Sequence, residues 1–132
     1  MHVSSIEIAL RRSSIIHHDI HFDYRFGLGG RFPTGCENIL LSDSLKKGLK
    51  ILYCPVPIVS HSDDSSGRKL YRNESVIRAK GAMLYRIFGW KAYFVSVLFA
   101  IKKARETGLS LSKNIHILFS GIGEFKKVDH GK

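Results

Sequence analysis

The sequence predicts an α/β chain in which two short strands flank a glycine-rich loop and a helix, followed by a helical second half. Three observations predict it. From Val3 to Leu10, Ile6, Ile8 and Leu10 alternate with Glu7 and Ala9, the period of a half-buried strand. Leu49 to Val59 supplies Ile51, Tyr53, Val56, Ile58 and Val59 for a second strand. Beyond Asn73 the period changes, and Val76, Met83, Leu84, Ile87 and Phe88 recur at helical spacing behind a capping residue.

Between the strands, Arg11 to Ser14 breaks the first pattern, and Ile15, Ile16 and Ile20 pack a short helix or turn. His17, His18, Asp19, His21 and Asp23 follow; they are metal-ligand types, but the run is short, no fourth ligand is spaced for a site, and histidines of this kind are commoner in an ordinary surface turn. Asp23 also reads as an Asx cap for the turn into Phe26 and Gly27. Gly27, Gly29 and Gly30 then allow positive φ and a close approach of another group. Thr34 stands three residues before Glu37 and just ahead of Ile39, Leu40 and Leu41, a capping-box pattern. A helix is therefore predicted from about Gly35 to Lys47, with Lys46 and Lys47 in its last turn and Gly48 as its left-handed cap.

Pro55 and Pro57 lack a ladder donor, which bends the second strand or places it at a sheet edge, ending at His61. Ser62 to Arg72 reads as a surface loop. Gly89 and Trp90 mark a bend, and Ala92 to Ile101 is uncharged but far short of the ~20 residues a bilayer span needs. Lys91, Lys102 and Lys103 flank it, as in a helix lying on a membrane surface. A final helix carries Ile115, Leu118, Phe119, Ile122 and Phe125, weakened by Gly121 and Gly123.

A chain of 132 residues is one domain or part of one, and its 44% apolar content argues against disorder. Two cysteines are too few for a disulfide framework, so a reducing compartment is expected. Met1 to Leu10 contains Glu7 and no continuous apolar core, so no signal peptide is expected and the cytoplasm is the simplest location. The net charge of +10 is uneven: Arg68 to Arg105 holds ten Lys or Arg against Glu74 alone, nearly all of the excess. Such a block faces an anionic membrane, a phosphorylated ligand or nucleic acid, or is simply a solvated face. No helix-turn-helix, zinc-finger or RNA-binding sheet signature is present, which disfavours nucleic acid.

The ordered string FDYRFGLGG, then PTGCENILLSDSLKKGLKILYCPVPIVSH, then SSGRKLYRNESVIRAKGAMLYRIFG resembles the C-terminal half of a family 2 glycosyltransferase of the GT-A fold. The likeness covers nearly the whole chain but not the family's nucleotide-binding first half, and the sequence holds no Asp-x-Asp. It implies a partial GT-A-like (Rossmann-like) sheet with helices over residues 1–72, the acceptor side of a catalytic domain, and a basic, amphipathic helical region over 73–132. It implies inverting transfer of a sugar from a nucleotide sugar to a glycan or lipid-linked acceptor in the complete protein, and little activity from this portion alone. The expected location is cytoplasmic, peripheral on the inner face of the membrane. The alternative is a non-enzymatic basic module that binds an anionic membrane surface or nucleic acid.

By the same resemblance Glu37 matches the general base, which takes the acceptor hydroxyl's proton; from the residues alone the capping-box role is favoured, and Glu37 can serve either. Cys36 stands where the family's first acid is usual, and Tyr24 replaces an acid in the preceding turn. Asp23, Gly29, Gly30, Gly35, Cys36 and Asn38 would line the acceptor pocket. Ser66, Gly67, Arg68 and Lys69 would close over the diphosphate, or form a solvated loop. His61 matches a metal ligand, or is a structural histidine at a strand end. A divalent cation, Mn or Mg, is expected only in the complete enzyme.

Overall fold

The computed structural model describes residues 7–56 and 73–130. In chain order it contains α1 (Arg12–His17), α2 (Cys36–Lys46), α3 (Glu74–Phe88), a 3-10 turn (Gly89–Lys91), α4 (Ala92–Thr107) and α5 (Leu111–His130).

The expected α/β fold, with its partial GT-A-like sheet, is overturned. Among the described residues helix takes up 66% and strand 2%, with no sheet. The only described pairing is an isolated bridge between Phe26 and Phe32. Among the described residues of the two predicted strands, Glu7 lies in a 3-10 turn and neither Ile8–Leu10 nor Lys50–Val56 has regular structure; the remainder lies outside the described residues. The physical reason is pairing. A strand is stable only against a neighbour that takes its backbone donors and acceptors, and among the described residues no bridge involves Ile51–Val56. Leu52 and Tyr53 there are 87% and 78% exposed.

The helices begin and end where local chemistry directs. Asn73 caps α3, its side chain accepting from the Ser75 N–H at 3.0 Å. After α2, Gly48 takes φ 81°, its N–H donates to the Leu45 carbonyl and that of Leu49 to Ser44, which together form a Schellman ending. At the start of α2 the capping box is not formed. Gly35, with φ 112°, is the N-cap, and no side chain caps the helix, so Glu37 falls in the first turn without the Thr34 partnership.

Helix α3 is the centre of the molecule, buried from Val76 to Leu84 except at Arg78. It packs chiefly on α5, and the two backbones touch where Gly81 faces Leu118 and Gly121 faces Arg78. Gly121, which weakens the last helix on propensity alone, is what permits this crossing. The main core joins Phe26, Phe32 and Ile39 to Ala79, Ala82, Met83, Ile122 and Phe125, so the loop before α2 and the last helix share one interior. By length and composition the stretch Glu74–Thr107 is apolar enough to cross a membrane, which is compatible with membrane association.

Candidate functional site

The glycine loop is closed at its neck by backbone. Gly27 N–H donates to the Phe32 carbonyl at 2.8 Å and Phe32 N–H to that of Arg25 at 2.9 Å. Phe26 and Phe32 stack at 4.9 Å between ring centres, and both rest on Phe125. Leu28 and Gly29 form the exposed tip, and Gly29 takes φ 82° with open space around it. Gly30 is needed for a different reason: a Cβ there would come within 2.8 Å of the Arg25 carbonyl oxygen.

Asp23 is committed to the structure around this loop. It accepts from Arg25 at 2.7 and 2.8 Å and from Arg86 of α3 at 3.1 Å, with its side chain only 7% exposed. Burial pushes its carboxyl up, but the hydrogen bonds from Arg25 and Arg86 outweigh it and hold the group below its ordinary value. Arg25 also pairs with Asp129 at 2.6 Å and lies over the Phe125 ring, while Arg86 reaches Asp43 at 2.8 Å. The network ties the loop, α2, α3 and α5 together.

Of the residues that the resemblance implies for an acceptor site, those from Gly35 to Asn38 meet at the first turn of α2, whereas Asp23, Gly29 and Gly30 belong to the loop before it. Gly35, Cys36, Glu37 and Asn38 are consecutive there, and a Cβ on Gly27 would sit 3.1 Å from the Cys36 sulfur, so the loop neck leans on this turn. Met83 of α3 closes against Gly35 from the other side. One turn earlier on α3 lies Lys80, 8% exposed, whose charge interacts with Glu37 and Cys36. Burial pushes its ammonium down, with Glu37 pulling the other way. The Cys36 thiol is pushed up by burial and by the adjacent Glu37, so it stays protonated and is a poor nucleophile.

Lys80 is the residue that the sequence does not single out. It belongs to the basic block, yet it stands four residues after Val76 and three before Met83, on the apolar stripe of α3. A charge on such a stripe is the signal that could have found it. The block itself divides: Arg86 is paired with acids, Lys103 is bonded to Glu106, and Arg78, Lys91, Lys102 and Arg105 are exposed.

His61, Ser66, Gly67, Arg68 and Lys69 lie outside the described residues. Among the described residues no group of three or more His, Cys, Asp or Glu is arranged to hold a metal ion. In the histidine-rich turn, the His21 ring N–H donates to the Asp19 carboxylate at 2.6 Å, and that of His18 to the Ser14 carbonyl. An open hollow of about 370 Å³ lies near the other end of α2, lined by Asp19, Ile20, His21, Asp43, Lys46, Lys47 and Arg86. Its lysines are engaged, Lys47 on the His18 and Asp19 carbonyls and Lys46 on that of Ile87. None of the residues at the first turn of α2 lines it.

Compared with known proteins, the chain matches no family model, no curated protein and no solved structure.

Proposed function

We propose that this chain is the acceptor-side portion of a family 2 glycosyltransferase, acting in inverting transfer of a sugar from a nucleotide sugar to a glycan or lipid-linked acceptor. One observation carries the reading. The ordered string from Phe22 to Asn38 ends with Glu37 in the first turn of a helix, against the neck of the glycine loop and within the electrostatic reach of a buried lysine. The reading concerns that loop and helix and brings no sheet with it.

In this role Glu37 accepts the proton of the acceptor hydroxyl as its oxygen bonds to the anomeric carbon. The bond from that carbon to the diphosphate breaks, and the nucleoside diphosphate leaves with the electron pair. The positive end of α2 and the ammonium of Lys80 favour a negatively charged group at this place. Tyr24 and Leu28, at the exposed rim of the loop, offer ring and apolar surface to a sugar. The divalent cation expected of the complete enzyme would help the diphosphate leave. The described residues do not form a site for it.

The test is transfer from a nucleotide sugar by a form of the protein that also carries a donor-binding Asp-x-Asp segment. Glu37→Gln should lower the rate by about 10²–10⁴-fold, the usual worth of a general base, and leave the circular dichroism spectrum unchanged. Undiminished transfer would remove Glu37 from the chemistry. Metal-dependent transfer by the 132-residue chain alone would place the donor site within this sequence and overturn the division proposed.

A further inference from the structure

We infer that α4 is a membrane-docking helix that lies in the plane of an anionic lipid surface. Trp90, Phe94, Leu98 and Ile101 follow one another at intervals of four, four and three residues, which is one helical face. They are 76%, 70%, 51% and 57% exposed. On the opposite side Ala92, Ser96 and Ala100 are buried against the body of the protein. The helix is thus seated by small residues and turns its large apolar ones outward, the reverse of an ordinary surface helix.

Charge selects the occupant. Lys91, Lys102 and Arg105 are exposed around this face, with Lys91 at its start and Arg105 one turn beyond Ile101. Glu106, the one acid on the helix, is held by Lys103 at 2.7 Å. An apolar strip bracketed by cations fits the acyl–headgroup boundary of anionic lipid, where the strip sinks roughly 5–10 Å and the cations meet phosphates. A second copy of the same face would bring these cations against their own kind.

Geometry also selects lying over spanning. Gly89, at φ 59° and ψ −136°, separates α4 from α3, and α3 is committed to the core. The 16 residues of α4 extend only about 24 Å, and the uncharged stretch from Ala92 to Ile101 about 15 Å, against a hydrocarbon core of roughly 30 Å. In the sequence the basic block runs over the whole of Arg68–Arg105. The inference concerns residues 90–105.

Trp90 is the single tryptophan of the chain and lies on the proposed surface, so its fluorescence reports contact directly. The 132-residue protein is mixed with vesicles of phosphatidylcholine alone, or with about one third phosphatidylglycerol. The expected result is a blue shift and co-flotation with the anionic vesicles only, weakening as salt is raised. Phe94→Ser with Leu98→Ser should weaken partitioning at least tenfold. Lys91→Gln with Lys102→Gln should weaken it about 30-fold, from roughly fivefold per cation. Circular dichroism checks that both exposed-site variants remain folded. Three outcomes would overturn the inference: no binding, equal binding to both vesicle types, or binding undiminished by Phe94→Ser with Leu98→Ser. Self-association that the same pair abolishes, without vesicle binding, would assign the face to a second copy instead. No nucleotide sugar enters the experiment, so its failure leaves the transferase reading untouched.

Discussion

Replacing Gly121 by alanine should destabilise the protein, whereas the same change two residues later should stabilise it. A Cβ at Gly121 would fall on the Arg78 carbonyl oxygen, within 2.8 Å of its carbon and 3.2 Å of the Ala82 nitrogen, all backbone atoms of α3. Neither rotamer change nor side-chain bending relieves such a contact, so α5 must move outward by roughly 1 Å. That movement loosens Leu118, Ile122 and Phe125, which are at most 2% exposed, and a gap of 0.5–1 Å forfeits about a quarter to a half of each contact's attraction. Overpacking of this kind costs about 1–3 kcal/mol, or more where backbone is involved. The better helix propensity of alanine returns about 1 kcal/mol. Taken from the upper end of that range, because the contact is with backbone, the net loss is about 2 kcal/mol, which lowers Tm by roughly 6 °C in a chain of this size. At Gly123 nothing lies within 4 Å of the place a methyl group would take, so only the propensity gain remains and Tm should rise about 3 °C. Thermal unfolding followed by circular dichroism measures both. A Gly121→Ala protein as stable as the parent would refute the account of the α3–α5 crossing.

Two further predictions concern charge. Asp23→Asn should cost roughly 1.5–3 kcal/mol at pH 7 by weakening the bonds from Arg25 and Arg86. The carboxyl's folded value lies below its ordinary 3.8, so its contribution is complete above that pH and lost as pH falls through the lower folded value; urea titrations should show the gap between parent and variant closing there. Lys80→Met should stabilise the protein at pH 7, because burial penalises the ammonium and a thioether fills similar space. The unfolded state holds the Lys80 proton up to about its ordinary 10.5 while the folded state releases it earlier, so the parent gains stability with rising pH and the variant's advantage should shrink. A pH-independent difference in Tm would show that Lys80 stays charged in both states.

The helices are legible in the sequence because their signals are local. The Asn73 cap and the Gly48 ending need only neighbours a few residues away, and both form as the sequence predicts. The strands are not legible, because alternation at Ile51 and Tyr53 says which side chains share a face and nothing about whether a partner exists. The capping box at Thr34 and Glu37 fails for a single residue, Gly35, whose positive φ takes over the start of the helix. Gly121 misleads because a glycine's weakness is local while its use depends on the backbone of Arg78, 43 positions earlier. Of the site, the grouping of Gly35 to Asn38 is readable since those residues are consecutive. Lys80 is not, since its neighbourhood with Glu37 exists only after α3 packs beside α2.

The glycine loop is held by a helix about a hundred positions later in the sequence, and this sets when it can form. Arg25 and Asp129 are separated by 104 positions and Arg31 and Glu124 by 93, and Phe125 is the floor on which Phe26 and Phe32 rest. During synthesis the loop emerges early but meets its supports only after the last helix has left the ribosome. Closing so long a loop carries an entropy cost that grows only slowly with length, so the delay is set by the order of synthesis more than by the search. The candidate residues around the loop thus take their final places only with the docking of α5.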